Sequence, residues 1–242
     1  VVVHLAARAG VRPSLEQPLL YEDVNCRGTL NLLEEARKRS ISRFVFASSS
    51  SVYGNVKEIP FREDARIDRP VSPYAATKAA GELYCHNYHH LYGISVTALR
   101  FFTVYGPRQR PDMAIHKFTA LIDQGRPLPF YGDGSTKRDY TFYSDIIDGL
   151  EAAVDRDLGF AILNLGESRT TTLENLVAQI EAALGKQAVL DRQPMQPGDV
   201  VMTCADVSRA ADLLDYRPSV PVEEGIPRFV EWYREMQPSS GC

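Results

Sequence analysis

Phe44-Val45-Phe46-Ala47 runs straight into Ser48-Ser49-Ser50-Ser51-Val52-Tyr53-Gly54, and this junction constrains the chain more than any other stretch. A short apolar run rich in β-formers that ends in small hydroxyl residues reads as a buried parallel strand whose carboxyl end opens into a site. Ser95 to Phe102 reads as a second such strand, and its end brings Thr103 to the same rim. Between them, Ser72 supplies a hydroxyl cap and Pro73 a first helical position, so a helix is expected from Ala75 to Tyr92, closed by Gly93. Val24, Leu30, Leu33 and Ala36, interleaved with Glu34, Glu35, Arg37 and Lys38, predict an amphipathic helix over Tyr21 to Ser40 that leads into the Phe44 strand. Gly28 lowers helix propensity there, and a close approach of helix to sheet would explain it. Such alternation predicts an α/β fold built on a parallel sheet.

The helix carries Tyr74 and Lys78 four residues apart, hence on one face. A free phenol titrates near about 10, too high for a general base at neutral pH, but a nearby ammonium and a helix N-terminus both favour phenolate. A serine hydroxyl within reach can relay the proton, so Ser49, Tyr74 and Lys78 form the candidate catalytic set. Tyr53 and Lys57 share the same spacing, but Gly54, Asn55 and Pro60 break any helix that would align them.

Composition narrows the function classes. With 242 residues, 44% of them hydrophobic, the chain can bury a sizeable core. Its net charge of −4, with basic residues spread along the chain, suggests neither a nucleic-acid nor a membrane surface. Cys26, Cys85, Cys204 and Cys242 fit no zinc or redox spacing, which favours reduced thiols and a cytoplasmic setting. His86 and His90 have a metal-ligand offset on the helix, but no Glu or Cys partner lies at a useful spacing, so no metal is assigned.

The pattern Ser-Ser-x-x-Val-Tyr-Gly followed by Ser-x-Tyr-x-x-x-Lys resembles the extended short-chain dehydrogenase/reductases that act on nucleotide sugars, the NAD-dependent epimerase/dehydratase family. Leu99-Arg100-Phe101-Phe102-Thr103-Val104-Tyr105-Gly106-Pro107 with Arg110-Pro111-Asp112-Met113-Ala114 most resembles its UDP-glucuronate 4-epimerases. The likeness runs from His4 to about Pro218. It implies a Rossmann-like doubly wound parallel sheet with a small α/β C-terminal substrate domain. The implied division is 1–105 with 139–170 for a partial NAD-binding part, 106–138 with 171–236 for the nucleotide-sugar part, and 237–242 as a tail. No Gly-x-Gly-x-x-Gly or Gly-x-x-Gly-x-x-Gly occurs, although the family carries that loop upstream of the equivalent of Val1. The sequence therefore reads as lacking an N-terminal part, which would leave Val1-Val2-Val3 as an apolar sheet edge.

The resemblance implies NAD as cofactor, with Ala6, Ala7, Asn25, Phe101, Tyr74 and Lys78 beside it. It implies a UDP-sugar substrate held by Ser50, Ser51, Thr103, Arg110, Tyr131, Arg138 and Asp199. In that reading Thr103 and the serines surround a sugar carboxylate with Arg110, Tyr131 stacks on uracil, Arg138 binds the diphosphate and Asp199 a ribose hydroxyl. Lys78 would hold the nicotinamide ribose and lower the Tyr74 pKa. Serines at positions 50 and 51, where dehydratases of the family have Asp and Glu, argue against elimination. UDP-glucose 4-epimerase and a non-catalytic nucleotide-sugar-binding fragment are the alternatives. The family's helices equivalent to 24–39 and 75–92 pair in a dimer, so a homodimer is expected. Two departures are Arg108-Gln109, where the family commonly has a Trp-Gly pair, and Arg8, often glutamine. Further along, Ser144 is expected to cap a helix carrying Ile146 to Val154, and Thr171-x-x-Glu174 reads as a capping box.

Overall fold

The structure, a computed structural model, describes residues 1–195 and 201–237. The chain opens with β1 (Val2–His4), the short helices α1 (Val11–Glu16) and α2 (Pro18–Tyr21), a π-helical stretch Glu22–Arg27, and α3 (Gly28–Lys38). β2 (Arg43–Ser49) passes into a 3-10 turn, Ser50–Tyr53, and α4 (Pro73–Tyr92) leads to β3 (Ser95–Phe101). There follow β4 (Thr103–Tyr105), α5 (Ala114–Asp123), β5 (Pro127–Tyr131), β6 (Lys137–Arg138) and β7 (Tyr140–Phe142). Next come α6 (Tyr143–Asp155), β8 (Phe160–Leu165), β9 (Thr171–Thr172), α7 (Leu173–Leu184), β10 (Val189–Gln193), α8 (Ser208–Leu214) and α9 (Val222–Met236).

The main sheet has the order β1-β2-β3-β8 with every pair parallel. Alternation along β2 divides its apolar side chains between the two faces. Phe44 and Phe46 pack with Leu33, Cys85 and Tyr88 beneath α3 and α4, whereas Val45 joins Leu99, Leu163 and Ile146 under α6 and α8. Helices thus cover both faces, which is why β2 reads as a continuous apolar run, and the doubly wound α/β expectation is met. The outer edge of β1 pairs with no strand among the described residues, and Val1, Val3 and Leu5 are exposed along it. A separate core gathers Ile115, Phe118, Leu128, Phe142, Leu176, Ile180, Ile226 and Phe229 from α5, β5, β7, α7 and α9.

Several local expectations need correction. The helix foreseen from Tyr21 to Ser40 is interrupted by the π-helical stretch, whose wider turn carries both Asn25 and Cys26 inward to buried positions. Gly28 has no close neighbour: a Cβ there would meet nothing within 4 Å. The close helix–sheet approach occurs at Gly81 of α4, where a Cβ would sit 2.4 Å from the Phe46 ring. Thr172, not Thr171, caps α7 by accepting from the Asn175 N–H, and α6 begins at Tyr143 with no side-chain cap, so Ser144 lies inside it. α8 falls in the stretch 171–236 expected for the second part, yet its buried Ala210 and Leu214 pack on the main-sheet side with Leu163 and Leu165 of β8. β10, paired with β5, carries no strand signature in the sequence, since only Val189 and Leu190 of its five residues are apolar and neither is buried.

Candidate active site

The tip of β2 and the first two turns of α4 meet as the sequence predicts. Ser72 Oγ accepts from the Ala75 N–H at 3.1 Å and Pro73 occupies the first turn, so the helix start is fixed opposite the strand end. Tyr74 is half-buried and faces the Ser49 hydroxyl, with the Tyr21 ring edge-on at 6.3 Å. Burial raises the Tyr74 pKa, while the Ser49 hydrogen bond and the Arg110 charge pull it down. Lys78 was expected to supply that pull. Lys78 is only 5% exposed, and its ammonium instead donates to the Ala47 carbonyl at 2.6 Å and lies 5.1 Å from the Phe46 ring centroid. Burial lowers its pKa to about 8.

Asn25 is a buried clamp. Its amide accepts from the Arg8 N–H at 2.8 Å and donates to the Arg8 carbonyl at 3.0 Å and to Thr77 Oγ1 at 3.0 Å. It therefore ties the segment after β1 to α4, within one residue of Lys78. Ala6 is exposed and Ala7 half-buried on that same segment, and Phe101 pairs in register with Ser49 across β2 and β3. Behind them His4 Nε2 lies 2.9 Å from Thr29 Oγ1. Thr29 uses its single hydroxyl proton on the Asn25 carbonyl, so His4 donates from Nε2 and is neutral, leaving Nδ1 bare. Burial first, and then the Lys78 charge, lower the His4 pKa to about 4.

A cleft of about 280 Å³ is lined by Tyr131 and Arg138, and also by Arg12 and Lys117. The last two were not legible in the sequence: isolated basic residues far apart in the chain carry no pattern until folding brings them together. Arg12 lies 5.9 Å from the Tyr131 ring centroid. Arg110 forms a two-point pair with Asp112, with both bonds at 3.1 Å, and Asp112 in turn lines the cleft, so this pair links it to Tyr74. Ser50, Ser51 and Thr103 are all half-buried at the strand tips. Asp199 lies outside the described residues. Of the departures noted in the sequence, Arg108 is exposed, whereas Gln109 is structural, its amide bridging the Val104 carbonyl and the His116 N–H. His86 and His90 lie with their rings parallel at 6.4 Å, His86 edge-on to Phe160.

A family model described as GDP-mannose 4,6 dehydratase matches residues 1–229. The chain is 45% identical over 235 residues to the UDP-glucuronate 4-epimerase of Thermodesulfobacterium geofontis, covering 97% of this chain and 72% of that protein. The chain belongs to the NAD-dependent epimerase/dehydratase family. Among solved structures of that family, MoeE5 in complex with UDP-glucuronic acid and NAD superposes with a TM-score of 0.93 at 38% identity, covering 98% of this chain and 79% of the other. MoeE5 has also been solved with UDP-glucose and NAD. The UDP-glucuronic acid 4-epimerase from Bacillus cereus, in complex with UDP-glucuronic acid and NAD, gives 0.91 at 35% identity, with coverages of 98% and 76%. The epimerase/dehydratase fold of these proteins is thus the fold of this chain. Among the described residues, no helix is long and apolar enough to cross a membrane.

Proposed function

We propose that this family member catalyses NAD-dependent 4-epimerisation of a UDP-sugar, UDP-glucuronate to UDP-galacturonate. The observation that carries the reading is the meeting of Tyr74, Ser49 and a dry Lys78 at the β2 tip, which the Arg110–Asp112 pair links to a cleft bearing three cationic side chains. The residues present fit a nicotinamide end at this rim: the segment after β1 offers the small Ala6 and Ala7, and Asn25 holds that segment against α4. Lys78, Tyr74, Asn25 and Phe101 would border the cofactor, which when bound supplies a hydride acceptor for C4 and returns the hydride to the opposite face.

The chain's own residues do the rest. Tyr74 takes the C4 hydroxyl proton as the hydride leaves and gives it back as the hydride returns, with Ser49 relaying it. Arg110 favours the phenolate electrostatically. Arg138, with Arg12 and Lys117, would neutralise the diphosphate, and Tyr131 would stack on the base. With Arg110 engaged by Asp112, the hydroxyls of Ser50, Ser51 and Thr103 are the groups left to receive the sugar carboxylate. Residues 1–105 with 139–170 would then form the cofactor part and 106–138 with 171–236 the nucleotide-sugar part, except that α8 packs with the main sheet and β7 with the second core. Exposed Leu32 on α3 and Leu83 and Leu91 on α4 support a homodimer. Cys26, Cys85 and Cys204 stand as free thiols, which supports a reducing, cytoplasmic setting.

A second reading, epimerisation of UDP-glucose, is favoured by the MoeE5 complex with that sugar. Incubation with NAD+ and each sugar separately, followed by chromatography of the nucleotide sugars, tests both. UDP-galacturonate from UDP-glucuronate supports the proposal, UDP-galactose alone selects the second reading, and binding without turnover of either sugar makes the chain a binding module.

A further inference from the structure

Further along the reacting face of α4 lies a buried ion pair with no part in the chemistry proposed above. Glu82 stands one turn beyond Lys78, so Tyr74, Lys78 and Glu82 succeed one another at helical spacing. Its carboxylate takes Arg100 at two points, Nε to Oε1 at 2.9 Å and Nη2 to Oε2 at 2.8 Å, with both side chains 3% exposed or less. Oε1 also accepts from Ser48 Oγ at 2.5 Å. The Arg100 guanidinium reaches onward to the Glu63 carbonyl at 3.3 Å and packs 4.8 Å from the Tyr53 ring centroid. Ser48 precedes Ser49 on β2, and Arg100 precedes Phe101 on β3.

A buried ion pair is poor evidence for net stability, because desolvation offsets most of the attraction; what it imposes is geometry, since the two-point fork tolerates little sliding. The three successive β2 residues Ala47, Ser48 and Ser49 meet Lys78, Glu82 and Tyr74. We propose that the Glu82–Arg100 pair is a positioning device that fixes the axial register of α4 against the tips of β2 and β3, and thereby holds Lys78 and Tyr74 in place. The role rests on reading that helix face as the reacting one.

Lys78 reports the register directly. The groups facing it are His4 from β1 and Cys85 from its own helix, with Cys26 of the π-helical stretch against the adjacent Thr77 and Glu82 one turn further on; Arg110 and Tyr21 face Tyr74. Its low pKa is caused chiefly by exclusion of water from the seam between α4 and β2. The double variant Glu82→Gln/Arg100→Met removes the pair without changing net charge, and Arg100→Lys keeps the charge while losing the fork. The lysine side-chain resonances are few, because the chain has six lysines, and that of Lys78 is assigned by its loss in Lys78→Met.

The experiment follows the Lys78 titration by NMR and thermal unfolding together, with no substrate present. Asp145→Asn serves as the destabilised control, since Asp145 braces the Ser219 and Val220 N–H groups away from α4. The double variant is expected to raise the Lys78 midpoint by about one pH unit or more towards the ordinary lysine value. Arg100→Lys is expected to raise it less, and Asp145→Asn to lower the melting temperature with the midpoint unmoved. An unchanged midpoint in the folded double variant overturns the proposal, and if that variant does not fold, an unchanged midpoint in Arg100→Lys does so. Because no turnover is read, a failed epimerase assay leaves this outcome standing, and the converse holds equally.

Discussion

Lys78 Nζ donates to the carbonyl of Ala47 at 2.6 Å, so the ammonium of α4 is anchored on the backbone of the very strand that presents Ser49. Tyr74, one turn earlier, receives its electrostatic help from Ser49 and Arg110. The two residues linked by sequence spacing thus take different partners, and their functions separate experimentally.

Replacing Tyr74 by phenylalanine removes the proton-transfer group and keeps the ring packing against Tyr21. Turnover is expected to fall by about 10²- to 10⁴-fold with UDP binding unchanged. Chromatographic rate measurement and calorimetry check the two halves, and near-normal turnover would remove Tyr74 from the mechanism.

Arg138→Ala is expected to weaken UDP binding by about tenfold or more, and Arg138→Lys to restore only part, because a point charge does not reproduce the fork. Isothermal titration with UDP measures this. Equal affinities for all three proteins would place the diphosphate elsewhere in the cleft.

Stability should depend on pH through His4. The folded ring stays neutral down to about 4, whereas the unfolded histidine takes its proton near 6.5. A depressed folded pKa means the contribution is complete above about 6.5 and is lost as the pH falls to about 4, on the order of 3 kcal/mol at that limit. Urea unfolding of the parent and of His4→Gln across this range should diverge in slope, and parallel curves would refute the assignment.

Two glycines give opposite outcomes on mutation to alanine. At Gly81 the new methyl would strike the Phe46 ring, itself fixed in the core, and a loss of about 1–3 kcal/mol is expected. At Gly28, helical and open, a gain of about 0.5–1 kcal/mol is expected. Thermal or urea unfolding decides both.

If α3 and α4 pair with a second copy, a charge at Leu83, 68% exposed on α4, should leave monomers. Light scattering of Leu83→Glu against the parent reads this, and a parent that is itself monomeric ends the homodimer proposal.

The sequence by itself determined the strand–helix alternation, the hydroxyl-rich tip after Phe44–Ala47 and the Tyr74–Lys78 face, because these rest on local periodicity, capping and turn chemistry. It also led to the cationic Arg138 and to Tyr131 through the family's motifs. Tertiary structure alone decided which glycine allows helix and sheet to touch: Gly28 and Gly81 both weaken a helix, but only one of them faces Phe46. It likewise decided that Asn25 clamps Arg8 to Thr77, that Arg12 and Lys117 enter the cleft, and that Lys78 binds a backbone carbonyl. The physical reason is common to all of these. Partners 17 to more than 100 residues apart, such as Arg8 and Asn25 or Tyr53 and Asn164, leave no periodic trace in the chain, and burial, which sets the charge state of His4 and Lys78, exists only once the layers have closed.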